Sequence, residues 1–172
     1  MANQIPERLI NFRAFLEGET LIGVADVELP KLESMKETVS GAGIAGEVES
    51  PVLGHFAAMS TTIKFRAITP DAVGKLATPA AHLLDFRGSQ QVQEAGAFKT
   101  VPVRVTVKAT PMSVNLGKFE VGKATDTADE FSVSYLKLYV DGKEIVEVDP
   151  YNFIAKFNGV DMLAGVRQDL GM

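Results

Sequence analysis

FSVSYLKLYVDGKEIVEVDPYNFIAKFNGVDMLAGVRQDLGM, residues 131–172, carries a β-hairpin and a capped terminal helix in one run. Phe131 to Val140 is rich in aromatic and branched residues. Asp141-Gly142 can supply the two positive φ angles of a type I′ turn, and Lys143 to Asp149 returns as the second strand. A two-residue loop predicts the register. Val140 faces Lys143, Leu138 faces Ile145 and Leu136 faces Glu147 on one surface; Tyr139 faces Glu144, Lys137 faces Val146 and Tyr135 faces Val148 on the other. Both surfaces are then half apolar, which implies a cover on each: the chain's own core on one side and another subunit on the other. Further on, Asp161 can cap a helix of Met162 to Asp169 that stops at Gly171, with Leu163, Val166 and Leu170 as its apolar stripe. So short a helix is unstable alone in water and must dock.

Working outward, the dominant period is two. Ile10, Phe12, Ala14 and Leu16 alternate with polar residues, Gly18 turns the chain, and Leu21, Val27 and Leu29 form a returning strand that Pro30 stops. Met59, Ile63 and Phe65 alternate in the same way, and a further strand is expected around Leu83 to Val92. Val101, Val103, Val105 and Val107 read as a half-buried strand, with Pro102 placing its start at a sheet edge or strand end. Thr69-Pro70-Asp71 has the order of an N-cap, an N1 proline and a first-turn acid, which predicts a short helix to about Ala77. The expected fold is mainly β with minor α: one domain over 1–172, an antiparallel β-sandwich or open barrel with one short central helix and a short C-terminal helix. Two stretches read as loops, Lys31 to Pro51 and Gly117 to Asp129, long enough to be functional.

Composition narrows the chemistry. With 172 residues the chain can bury a real core, and with no cysteine it has neither disulfides nor thiolate metal sites. A net charge of −5 argues against tight nucleic-acid binding, which needs clustered cations. No stretch is organised as a signal peptide or a spanning helix, so synthesis and assembly in the cytoplasm are expected, with no membrane insertion.

Gly41, Gly43 and Gly46 spell G-x-G-x-x-G, the dinucleotide fingerprint, but the context fails. No buried apolar strand precedes it, Pro51 forbids a following helix, and Arg66 stands where the ribose-binding acid belongs. The glycines suit a loop that crosses to a neighbouring subunit, and Ser40, Gly41, Gly43, Gly46 and Glu47 are the candidate interface residues. His55 and His82 lie in unrelated segments, and Ser132 and Ser134 lack a base at a recognisable spacing. Glu147 and Asp149 should share one strand face and Glu144 the other, which reads as a solvated strand rather than a catalytic cluster. Arg104 with Lys108, and Lys137 near Glu144, read as surface ion-pair residues. No catalytic, cofactor or metal residue is assigned.

DGKEIVEVD, the Asn after Asp149-Pro150, FNGVDML, an Arg and a final Leu-Gly together resemble the C-terminal signature of the major tail tube proteins of contractile-tailed phages and R-type phage-tail-like bacteriocins. NFRAFLEG, GVADVELPKLE and GAGIAGEVESPVLG resemble that family's N-terminal strand pair and the loop after it. The resemblance runs from about Leu9 to the end, and between Thr69 and Asp129 it rests on element order. It implies a non-enzymatic subunit, without cofactors, that forms hexameric rings stacked into a tube inside a contractile sheath. Its partners would be itself, the sheath, the tape measure and baseplate proteins, and DNA passing through without specific binding. Its place would be the virion tail or a bacteriocin particle. The tube protein of a type VI secretion apparatus is the alternative within this class; a soluble β-barrel ligand carrier or enzyme is the alternative outside it.

Overall fold

The computed structural model describes residues 4–23 and 26–172, except for the side chains of Gln4, Asp71 and Ala72. Met1 to Asn3, and Val24 and Ala25 of the expected returning strand, lie outside the described residues. The strands are β1 (Gln4–Leu16), β2 (Thr20–Ile22), β3 (Asp26–Glu28), β4 (Ser34–Val39), β5 (Val48–Phe56), β6 (Met59–Phe65), β7 (His82–Glu94), β8 (Ala97–Asn115), β9 (Thr127–Val140), β10 (Lys143–Asp149), β11 (Ile154–Phe157) and β12 (Val160–Asp161). An α-helix, α1 (Ala164–Asp169), lies near the C-terminal end. Ten strands form one antiparallel sheet with the path β12-β11-β10-β9-β8-β7-β1-β2. β9 serves two neighbours on the side away from β8: its first half pairs with β6, which carries β3, and its second half pairs with β10.

Register shifts let a single sheet wrap a core. Between Lys108 and Ala109 the β8–β9 ladder slips, so Val107 faces Leu136 while Ala109 faces Val133. The slip switches the inward residues of β9 from Phe131 and Val133 to Leu136 and Leu138, so the apolar face continues around the bend. Ala14, Leu84, Phe86 and Val107 thereby pack in one cluster with Met59, Ile63, Phe65 and Phe131.

Several sequence expectations need correction. The type I′ turn is present, with φ of 51° at Asp141 and 73° at Gly142. The register follows the expectation only at Val140–Lys143 and Tyr139–Glu144; a bulge at Ile145 then places Val146 opposite Leu138, Glu147 opposite Lys137 and Val148 opposite Leu136. A second shift between Leu9 and Asn11 leaves Ile10 exposed. Leu21 is exposed and Ile22 is the buried residue of the returning segment, which divides between β1 and β6. Pro102 lies inside β8 rather than at its start, but just beyond the point where β9 turns away. Its carbonyl accepts the Asp141 N–H at 2.9 Å, and its missing N–H breaks no ladder bond.

The expected central helix is a single wide turn over Pro70–Lys75, followed by the buried Leu76. α1 starts two residues later than expected, and Asp161 accepts the Leu163 N–H at 3.1 Å instead of capping inside the helix. Of its expected stripe only Leu163 is buried; Leu170 is exposed. The segment 31–51 is not a loop. It belongs to a hairpin, β4 with β5, that pairs with no other strand among the described residues.

Candidate assembly surfaces

The β4–β5 hairpin projects as an arm. Val39 pairs with Val48, which with Val52 puts branched side chains on one face, while Pro51 and Leu53 lie on the other. All five are exposed, and Lys36 and Glu49 are joined across the strands at 2.5 Å. Ser40, Gly41, Gly43, Gly46 and Glu47 come together at the exposed tip, where φ is positive at all three glycines. The G-x-G-x-x-G spacing therefore makes a ribbon end, with a strand and no helix following it.

The arm is rooted at its base. Phe56 lies 5.9 Å from Phe157, ring to ring. Gly54 has φ 65°, and the Leu163 side chain occupies the space a β-carbon there would need, 2.5 Å away.

The sheet face opposite the core carries a row of polar residues, one from each strand, in direct register: Asp161, Lys156, Glu147, Lys137, Thr106 and Asp85. Glu147 is held by Lys156 at 2.8 Å, Lys137 at 3.4 Å and the Tyr135 hydroxyl at 2.9 Å; Lys137 also reaches Glu144 at 2.9 Å. Asp85, almost fully buried, accepts from Arg104 at 2.7 Å, Arg87 at 2.6 Å and Thr106 at 3.0 Å. Arg87 also stacks over Phe15.

Burial alone would raise both carboxyls. Lys156, the Tyr135 hydroxyl and Lys137 outweigh it at Glu147 and hold that group down at about 2, and the guanidiniums of Arg104 and Arg87 likewise lower Asp85. Burial, then the bond to Glu147, pushes the Tyr135 phenol up to about 12. Sequence reading placed Glu144 and Glu147 on opposite faces; the bulge at Ile145 puts both on Lys137. Arg104 pairs with Asp85 on the neighbouring strand, a contact for which local spacing gave no signal.

Asp129 is the opposite case. It lies inside β9 opposite Ile63 and Val114, with no exposed surface and no hydrogen-bond partner for either oxygen. Burial raises it from 3.8 to about 6. The segment from Leu116 to Asp126 departs from the sheet with Phe119 and Val121 almost wholly in solvent.

None of these places resembles a catalytic centre. His55 contacts the Leu53 carbonyl, His82 the Thr78 carbonyl, and Ser134 donates to the Lys108 carbonyl. Among the described residues no acid and histidine cluster is placed to hold a metal, and no helix is long and apolar enough to cross a membrane.

A family model described as phage tail tube protein FII matches residues 6–171. The tail tube protein of Escherichia phage P2 is 31% identical over 172 residues, covering 98% of this chain and 99% of that protein. The major tail tube protein of Serratia phage KSP20 is 25% identical, covering 92% of this chain and 91% of its own. A chain from the PVC sheath-tube complex, an extracellular contractile injection system in its extended state, superposes with a TM-score of 0.52 at 13% identity, over 78% of this chain and 91% of that one. A chain of the anti-feeding prophage cap gives 0.50 at 16% identity, over 81% and 93%. At these identities the structural likeness is one of fold. The family match covers nearly the whole of the described sheet, arm and terminal helix, and this chain belongs to the phage tail tube protein FII family.

Proposed function

We propose that copies of this chain close into hexameric rings that stack into the hollow tube of a contractile tail, with the β4–β5 arm reaching a neighbouring subunit. The carrying observation is that arm. An isolated two-stranded ribbon is marginal in water, and this one bears uncovered apolar side chains on both faces. The subunit's surface agrees: it exposes 10981 Å², where a compact monomer of 18.5 kDa exposes about 8,200 Å². Contacts between unlike patches that close sideways give a ring, and a second set along the axis gives a stack.

The role is structural rather than enzymatic. A sheath outside, tape measure and baseplate proteins at the ends and DNA in the bore are the partners this role requires, in a virion tail or a headless tail-like particle. The ion-paired row suits a bore wall, because its lysines and arginines are already engaged by carboxylates and a moving polyanion meets few free cations. The 31% identity to a phage tail tube protein favours a phage tail over a secretion-apparatus tube.

Replacing Ser40–Glu47 by an Asn-Gly turn tests the arm. The expected product is a monomer with near-native circular dichroism that forms no rings or tubes in negative stain. Normal assembly by this variant, or dinucleotide binding by the wild type that the variant lacks, would overturn the reading.

A further inference from the structure

A cavity of about 190 Å³ opens on the core face of the sheet, bordered by β3. Its walls are Leu9 and Phe12 from β1, Val27 of β3 with Leu29 just after it, Gly88 from β7, and Val103 from β8. Gly88 creates the space: a β-carbon there would lie 2.9 Å from Leu9 Cδ1 and 3.8 Å from Phe12 Cβ. No charged residue lines the cavity, and Leu9 and Leu29 are each about half exposed beside it. An apolar cavity of roughly 150 Å³ accepts benzene, so this one has the size of a single phenyl ring.

The same chain carries a matching projection. At the tip of the β8–β9 connection Phe119 is 90% exposed and Val121 fully so. Lys118 and Lys123 both pair with Glu120, at 3.2 and 2.5 Å, and with Asp126 counted the formal charges of 117–126 cancel. Its base is braced: the Gly117 N–H donates to Asn115 Oδ1, the Lys118 N–H to the Thr125 carbonyl, and the Thr125 N–H to the Arg66 carbonyl, each at 2.9 Å. A braced, locally neutral tip loses little entropy on docking, and an uncharged apolar hole imposes no unpaired charge on it. The other strongly exposed aromatics fit less well. Tyr151 would bring a hydroxyl into an apolar wall, and Phe98 is fixed in the β7–β8 ladder opposite Gln93.

We propose that Phe119 of one copy seats in the Leu9–Phe12–Gly88–Val103 cavity of a second copy. The inference rests on the reading that copies of this chain assemble, and it names one contact of that assembly. Knob and hole are different patches, so the contact is head-to-tail and repeats from copy to copy.

The absence of cysteine makes disulfide trapping clean. The variant Val121→Cys/Gln90→Cys, which keeps Phe119 and places one cysteine beside it on the tip and the other at Gln90 in the cavity lining, is assembled, oxidised and run on a non-reducing gel. The expected result is a ladder of covalent multimers. A mixture of the two single-cysteine proteins should yield a mixed dimer, and Phe98→Cys/Gln90→Cys should give neither. Phe119→Ala should raise the protein concentration needed for assembly by about tenfold or more, as for truncation of a central aromatic anchor. Gly88→Val, which fills the hole without touching the tip, should do the same; if it alters the circular dichroism, Val103→Phe fills the cavity from the other wall.

Tubes that form normally but cross-link no better than the Phe98 control, or that assemble at wild-type concentration with Ala at 119, would refute the contact while leaving the tube reading intact. A wild-type protein that forms neither rings nor tubes would remove both.

Discussion

Replacing Asp129 by Asn should stabilise the monomer, by an amount that grows with pH. The carboxyl is fully buried, both its oxygens lack partners, and its pKa is raised from 3.8 to about 6 by burial. Between those two values the native state keeps a proton that the unfolded chain has released. The group's favourable contribution is therefore complete below 3.8 and disappears as pH rises through about 6. A shift of roughly two units corresponds to about 3 kcal/mol at pH 8 and about half that at pH 5. For a chain of this size, that is a rise of roughly 6–12 °C in melting temperature for Asp129→Asn at pH 8. Thermal melts of dilute, unassembled protein at pH 5 and pH 8, wild type against variant, measure it. Because other carboxyls titrate in the same range, the informative quantity is the difference between the two proteins at each pH. Parallel wild-type and variant curves, or a variant less stable at pH 8, would refute the argument that an unpaired charge sits in this core.

Glu147→Gln should behave with the opposite sign. The Glu147 carboxyl is depressed from 4.5 to about 2, so its contribution is present above 4.5 and is lost as pH falls through 2. The variant should lose about 2–3 kcal/mol at pH 7, and wild type should approach it in acid titration. Gly142→Val forces a β-branched residue to φ 73° and should cost at least about 1–2 kcal/mol in urea unfolding; a variant as stable as wild type would contradict the type I′ turn. Gly54→Ala combines φ 65° with a clash against Leu163, and should lower the melting temperature and expose the arm root to proteolysis, whereas an unchanged cleavage pattern would mean that Leu163 does not hold the arm.

What the amino-acid order by itself determined is local. Asp141-Gly142 specifies the hairpin turn because only a few residues tolerate two consecutive positive φ angles. The alternation at Met59, Ile63 and Phe65 marks a half-buried strand because side chains of a strand point alternately to its two faces. The glycines at 41, 43 and 46 lack the context of a nucleotide site because a buried apolar strand before them, a helix after them and the ribose-binding acid are all missing.

Tertiary structure decided what depends on bulges and on distant strands. One extra residue at Ile145 moves every later side chain of β10 to the other face, and composition does not announce where that residue will fall. Hence Glu147 meets Lys137 against the simple alternation, and Asp85 finds Arg104, 19 residues away, only once β7 and β8 pair. The arm shows the same division. Its glycines and its polarity suggest a loop, but Val39, Val48, Val52 and Leu53 become an uncovered ribbon only because Ser34–Val39 and Val48–Phe56 pair with each other and with no other described strand. The cavity at Gly88 has no sequence signature at all, since it exists only where β1, β7, β8 and the β3 segment converge without a side chain at 88 to fill the space between them.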